Sequence, residues 1–98
     1  MIKVIDRWVI DTDGKQYIGG KLATRTLKDG TTEEYIQAPF YHITFAGCLK
    51  AISARLRMEA IKDTTGDLAA ATKAIQAADK RLLKALGAFD EIEVVKRG

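Results

Sequence analysis

The sequence predicts an α+β domain, a small antiparallel sheet of three to five strands followed by two helices packed on one face. Three observations predict it. Apolar residues alternate with period two through the first half of the chain. They recur at three- and four-residue spacing through the second half. The strand-like segments all precede the helix-like ones, which is the order of a layered α+β domain and not of a βαβ repeat. At 98 residues there is room for a single domain, residues 1–98, with a thin core.

The first expected strand covers Ile2 to Ile10. Ile2, Val4, Trp8 and Ile10 fall on one side of it, and Lys3, Ile5, Arg7 and Val9 on the other. Both sides are partly apolar, which suits a central strand. Asp11-Thr12-Asp13-Gly14 reads as a turn in which glycine supplies a positive φ. An extended segment restarts over Lys15 to Ile18, and Gly19-Gly20 marks a bend or bulge. Lys21 to Lys28 favours strand through Thr24, Thr26 and Leu27. Asp29-Gly30 is a hairpin signal, and the return strand is expected from Glu33 to Ala38. Pro39 has no N–H to donate and is expected to end the pairing.

Thr44 is a candidate N-cap for a helix running to Lys62. That helix carries two apolar stripes on nearly opposite faces. One is Phe45, Cys48, Leu49, Ile52 and Leu56; the other is Gly47, Ala51, Ala54, Met58 and Ile61. A helix apolar on two sides requires two neighbours. The sheet supplies one. The alanine-rich side of the next helix is the expected second; otherwise the stripe is a surface for a partner or a second copy of the chain. Asp63-Thr64-Thr65-Gly66 breaks the first helix. The second is expected from Asp67 to Leu86, with six alanines between 69 and 78 and Gly87 after its end. Its apolar face is Leu68, Ala71, Ile75, Ala78, Leu82 and Leu86. Ile92, Val94 and Val95 read as a short last strand.

Charge is unevenly placed. Residues 1–44 are balanced, whereas 45–87 hold eight Lys/Arg against four Asp/Glu, more than the whole net charge of +3. The excess sits on the helices. Lys73, Lys80 and Lys84, separated by seven and four residues, project from one side of the second helix with Gln76 beside them. Such a row fits an anionic partner, including a phosphate backbone. Nucleic-acid recognition ordinarily adds aromatic platforms, and this row has none.

The residues that carry chemistry do not assemble into a site. Cys48 and His42 are the only thiol and imidazole, but Cys48 lies on an apolar stripe, where a small buried hydrophobe is expected. A structural zinc site takes four ligands. Asp11, Asp13 and Gly14 lack the remaining positions of a calcium loop. Glu33 and Glu34 are adjacent, so a strand sends them to opposite faces. Asp90, Glu91 and Glu93 read as a solvated cluster. Gly19-Gly20 lacks the helix and lysine of a phosphate loop, and Ser53, the only serine, is mid-helix. The reading assigns no catalytic residue, no cofactor and no metal, and it predicts a protein that is not an enzyme.

No segment reaches the ~20 apolar residues of a membrane span, and Lys3, Asp6 and Arg7 interrupt any signal-peptide core. One cysteine permits no internal disulfide. A cytoplasmic location follows as the expectation, without membrane association.

The segment Asp6-Arg7-Trp8-Val9-Ile10-Asp11-Thr12-Asp13, followed by Tyr17-Ile18, resembles the N-terminal pattern of small bacteriophage and prophage proteins. The stretch from Tyr41-His42 through Leu49-Lys50-Ala51-Ile52 to Leu56 is similar to the helix that follows there. The likeness covers roughly the first 60 residues and rests on hydrophobic positions. It implies a compact accessory protein of no known catalytic activity that binds a host or phage protein. Inhibitors of host defence, such as anti-CRISPR proteins, are a recurrent class among these, with a defence nuclease complex as target. The expected partner-binding residues are Lys73, Lys80, Lys84, Gln76, Met58 and Ile61, on a monomer or homodimer. The rival reading is a small basic nucleic-acid-binding module that uses the lysine row.

Overall fold

A computed structural model describes residues 1–87. It shows an α+β fold: strands β1 (Ile2–Ile5), β2 (Trp8–Thr12), β3 (Tyr17–Thr26) and β4 (Thr32–His42), then helices α1 (Phe45–Lys62) and α2 (Leu68–Leu86). The strands form one antiparallel meander in the order β1-β2-β3-β4. The expected strand through Ile92, Val94 and Val95 lies outside the described residues. The chain divides into two compact units, Met1–Cys48 and Leu49–Gly98, with α1 running from the first into the second.

In the first unit, the segment expected as a single strand from Ile2 to Ile10 is instead a hairpin. Asp6, at φ 51, turns the chain so that Ile5 pairs with Trp8 and Ile2 with Ile10. Aspartate is among the few non-glycine residues that tolerate a positive φ. Its position inside an apolar alternation hid the turn. β2 is one of the two inner strands, and Trp8, Val9 and Ile10 are all buried. The turn expected over residues 11–14 falls instead over 13–16, because Asp11 and Thr12 still pair with Ile18 and Tyr17. The Asp13 carboxylate accepts from the backbone N–H of Lys15 and of Gln16, at 2.9 and 3.0 Å, and Gly14 takes φ 89.

β3 continues without a break through Gly19 and Gly20, and the register against β4 shifts between Gly19 and Lys21. Pro39 does not end the pairing, as the sequence had suggested. The shift places Ala38 at φ 48, and β4 then pairs on through Phe40 and Tyr41 to His42, opposite Tyr17. Among the described residues β4 is one edge of the sheet, where a proline at an irregularity removes no ladder bond that the sheet requires. The Asp29-Gly30 signal sits in a five-residue loop, 27–31, rather than a two-residue turn. There Asp29 accepts from the Thr31 hydroxyl and backbone N–H.

The glycine pair has a packing role. A Cβ on Gly19 would lie 2.6 Å from Cys48 Sγ and against the Phe40 ring. This is where the first turn of α1 meets the sheet. Tyr17 and Phe45 stack edge-to-face at 5.6 Å beside it, and Phe40 contacts both Trp8 and His42. Thr44 caps α1 as expected, its hydroxyl accepting from Gly47 N–H at 3.0 Å.

The second unit contains the remainder of α1 and α2, joined by residues 63–67. Asp67 is the N-cap of α2, accepting from Ala70 N–H at 3.0 Å. Gly87 closes the helix by donating to the Leu83 carbonyl. Leu49, Ile52 and Leu56 of α1 and Ala78, Leu82 and Leu86 of α2 are buried. Removing a leucine or isoleucine side chain from water contributes about 1.5–3 kcal/mol, so these buried faces are the main stabilising surfaces of the two helices. Leu68, expected on the same apolar face, is 82% exposed, because it opens the first turn of α2.

Candidate functional site

A bidentate ion pair joins the two helices of the hairpin. Arg57 on α1 donates from Nε and Nη2 to the two carboxylate oxygens of Asp79 on α2, both at 2.8 Å. Two parallel bonds of this kind give orientation as well as attraction, and the Asp79 carboxylate holds the Arg57 guanidinium above its usual pKa. The two residues are 22 positions apart and belong to no local pattern, so sequence reasoning missed them.

The bridge fixes which flank of each helix faces the other. At about 100° per residue, passing round α1 from buried Ile52 through Arg57 leads to Ile61, Ala54 and Met58. Passing round α2 from buried Ala78 and Leu82 through Asp79 leads to Leu83 and Gln76, then to Lys80, Lys73 and Lys84. Both outer faces therefore lie on the same side of the hairpin, away from the buried residues.

The outer face of α1 is apolar and uncovered. Met58 is 59% and Ile61 40% exposed, and Ala54 is exposed as well. The alanine-rich side of α2, expected to cover this stripe, does not: Arg57 and Asp79 set the flanks together, leaving the outer stripe in solvent. Nearer the start of the helix, Gly47 and Ala51 are half-buried. Leu83, four residues after Asp79 and 47% exposed, adds an apolar side chain that the sequence reading did not single out. The available signal was its place beside Leu82 yet outside the buried stripe.

The outer face of α2 is basic. Lys73, Lys80, Lys84 and Gln76 are all exposed. Among the described residues none of the three lysines takes part in an ion pair. All six expected partner-binding residues thus lie on outward faces of one helical hairpin, with an apolar ridge on α1 beside a lysine row on α2.

The other candidates occupy different surroundings. Cys48 is fully buried, and desolvation pushes its thiol pKa up. A nucleophilic cysteine needs the reverse, an accessible thiolate near positive charge. The His42 ring packs against Phe40, and its Nδ1 lies 3.3 Å from where a Cβ on Gly47 would be. Glu33 pairs with Arg25, and Arg7 with Glu34, on the strands. Asp13 and Asp29 hold their turns, and the hydrogen bonds they accept from Lys15 and Gln16 and from Thr31 lower their pKa values. Among the described residues no group of three or more His, Cys, Asp or Glu side chains is placed to hold a metal ion. No helix there is long and apolar enough to cross a membrane.

No protein-family model matches the chain, and neither a curated protein nor a solved structure is significantly similar to it.

Proposed function

We propose that this chain acts by binding another protein through the outer face of the α1–α2 hairpin, and not by chemistry of its own. The observation that supports the reading is the uncovered stripe of Ala54, Met58 and Ile61 opposite the buried Leu49, Ile52 and Leu56. A helix with one apolar face buried has what its own fold needs; a second apolar face in solvent, next to a cationic row, has the composition of a docking surface.

The narrowest form of the proposal draws on the resemblance to small phage proteins. In that form the chain is a phage or prophage accessory protein that acts in the host cytoplasm, and its target is a defence complex such as a CRISPR nuclease. The test is a plaque assay on bacteria carrying an active CRISPR system directed at the infecting phage. Expression of the chain should restore plaques, and the pair Met58→Asp/Ile61→Asp should remove that protection while remaining folded by circular dichroism. Protection unaffected by the pair would refute the docking surface. Absence of protection against every defence system tried would refute the anti-defence role.

A second reading rests on a different observation: three exposed lysines on one helix face with no ion-pair partner among the described residues. A nucleic-acid module of this kind would lose affinity steeply with salt, by roughly one unit of log–log slope per phosphate contact. Changing Lys73, Lys80 and Lys84 together to glutamine would flatten that slope. Recovery of a bound macromolecule that vanishes after nuclease treatment would favour this reading over protein docking.

A further inference from the structure

We infer that the partner element recognised by the hairpin is an acidic amphipathic helix, laid across its outer side so that it meets the apolar residues of α1 and the lysine row of α2. The inference rests on the docking reading above and specifies its occupant. Three features of the surface select it.

The first is spacing. Gly47, Ala51, Ala54, Met58 and Ile61 follow one another at intervals of four, three, four and three. This is the a/d interval of a helix that receives another helix along its length, and its exposed part, Ala54, Met58 and Ile61, offers about one heptad of contact. Ala54, small and exposed, allows close approach, and Met58 adapts to the side chain it meets. The second is the position of the lysines. Lys73 and Lys80 are two turns apart and Lys84 one turn further, so a helix lying alongside can present a carboxylate to each at matching intervals. The third is charge. Four basic residues and one acidic residue lie on α1 (Lys50, Arg55, Arg57, Lys62 and Glu59), and Glu59 is on the buried side of the helix, not the outer one. The outer faces of both helices thus carry lysine and no carboxylate.

That charge distribution argues against a second copy as the occupant. A symmetric dimer through this surface would bring two lysine rows and two basic flanks together, and like charges in apposition oppose association. An acidic helix meets both requirements at once, with leucine or isoleucine on the ridge and glutamate or aspartate on the lysines, a helix-binding mode read by its anchor positions.

The test uses two synthetic peptides of about three heptads, identical except for charge. Both carry leucine at a and d; one carries glutamate at e and g, the other lysine. Affinity for the full chain is measured by fluorescence anisotropy at low and high salt. The glutamate peptide should bind at least roughly tenfold more tightly than its lysine twin at low salt, the sum expected of three exposed ion pairs. The difference should shrink at high salt. Lys73→Glu/Lys80→Glu/Lys84→Glu should reverse the preference, and Met58→Asp/Ile61→Asp should remove binding of both peptides. Equal affinity for the twins, binding of neither, or displacement of the glutamate peptide by duplex nucleic acid would overturn the inference. Concentration-dependent dimerisation abolished by Met58→Asp would also overturn it, by making a second copy the occupant. The docking reading survives these four results and falls separately, if the plaque assay is insensitive to Met58→Asp/Ile61→Asp.

Discussion

Gly19 tests how tightly the start of α1 is seated on the sheet. Replacing it by alanine would put a methyl group 2.6 Å from Cys48 Sγ and 2.9 Å from Phe40 Cζ, where non-bonded carbon contacts normally sit near 3.5–4.0 Å. Gly19 and Cys48 are both buried, so neither side opens to solvent. Overpacking of a filled core costs about 1–3 kcal/mol, and two opposed contacts place Gly19→Ala at about 2–3 kcal/mol. Cys48→Ala alone removes one heavy atom from the core and costs about 1 kcal/mol. The same change in the Gly19→Ala background vacates the space that the new methyl needs. The double variant is therefore expected to be about as stable as Gly19→Ala alone, giving a favourable coupling of about 1 kcal/mol. Urea unfolding followed by circular dichroism measures all four corners of the cycle. With a slope of about 1–3 kcal/mol per molar, Gly19→Ala should lower the midpoint by on the order of 1 M. A Gly19→Ala variant within about 0.5 kcal/mol of the parent, or strictly additive changes, would show that the helix start moves freely relative to the strand and refute the reasoning.

Other outcomes follow from the same geometry. The Arg57/Asp79 cycle to alanine should show a coupling of about 1–2 kcal/mol, since the pair is bidentate and half-buried; a coupling near zero would mean that the bridge does not hold the flanks together. Asp67→Ala and Thr44→Ala each remove an N-cap acceptor and should cost about 1 kcal/mol apiece in the unfolding assay, with Asp67→Asn restoring most of its loss. Asp13 and Asp29 have folded pKa values below the ordinary 3.8. Their contribution to stability is therefore complete above the unfolded value and is lost as pH falls through the folded one. Carboxyl titration by NMR should find both groups below 3.8, and Asp29→Asn should reduce the loss of stability in acid. The Cys48 thiol, buried and with its pKa raised, should react with a disulfide reagent at neutral pH far more slowly in the native chain than in urea; equal rates would contradict its burial.

The helix ends were readable because their signals are local. Thr44, Asp67 and Gly87 act within one turn of themselves. The turn at Asp13-Gly14 is equally self-contained. The misread elements were those decided by pairing. Asp6 and Arg7 look like any two residues of an alternating strand, and only the pairing of Ile5 with Trp8 makes them a turn. Arg7 is then held by its Nε bond to the Leu22 carbonyl at 2.7 Å, a contact 15 residues away. Pro39 is an edge-strand proline, and its meaning depended on whether another strand lay beyond β4. The candidate surface divides in the same way. The spacing of Met58 and Ile61 and of the three lysines was visible along the chain. The contribution of Leu83, and the placing of both rows on one side of the hairpin, required the Arg57–Asp79 bridge.

What the sequence determined by itself was the α+β class, both helices, and the existence of two apolar stripes on α1, because periodicity and capping are properties of neighbouring residues. What the tertiary structure alone decided was that the second stripe stays uncovered. The first stripe, with Phe45, Leu49, Ile52 and Leu56, is the more hydrophobic of the two, and its burial was readable along the chain. The pairing of Arg57 with Asp79 turns a flank of α1, and not its outer face, toward α2. The stripe left in solvent, at Ala54, Met58 and Ile61, is the one on which the proposed function rests.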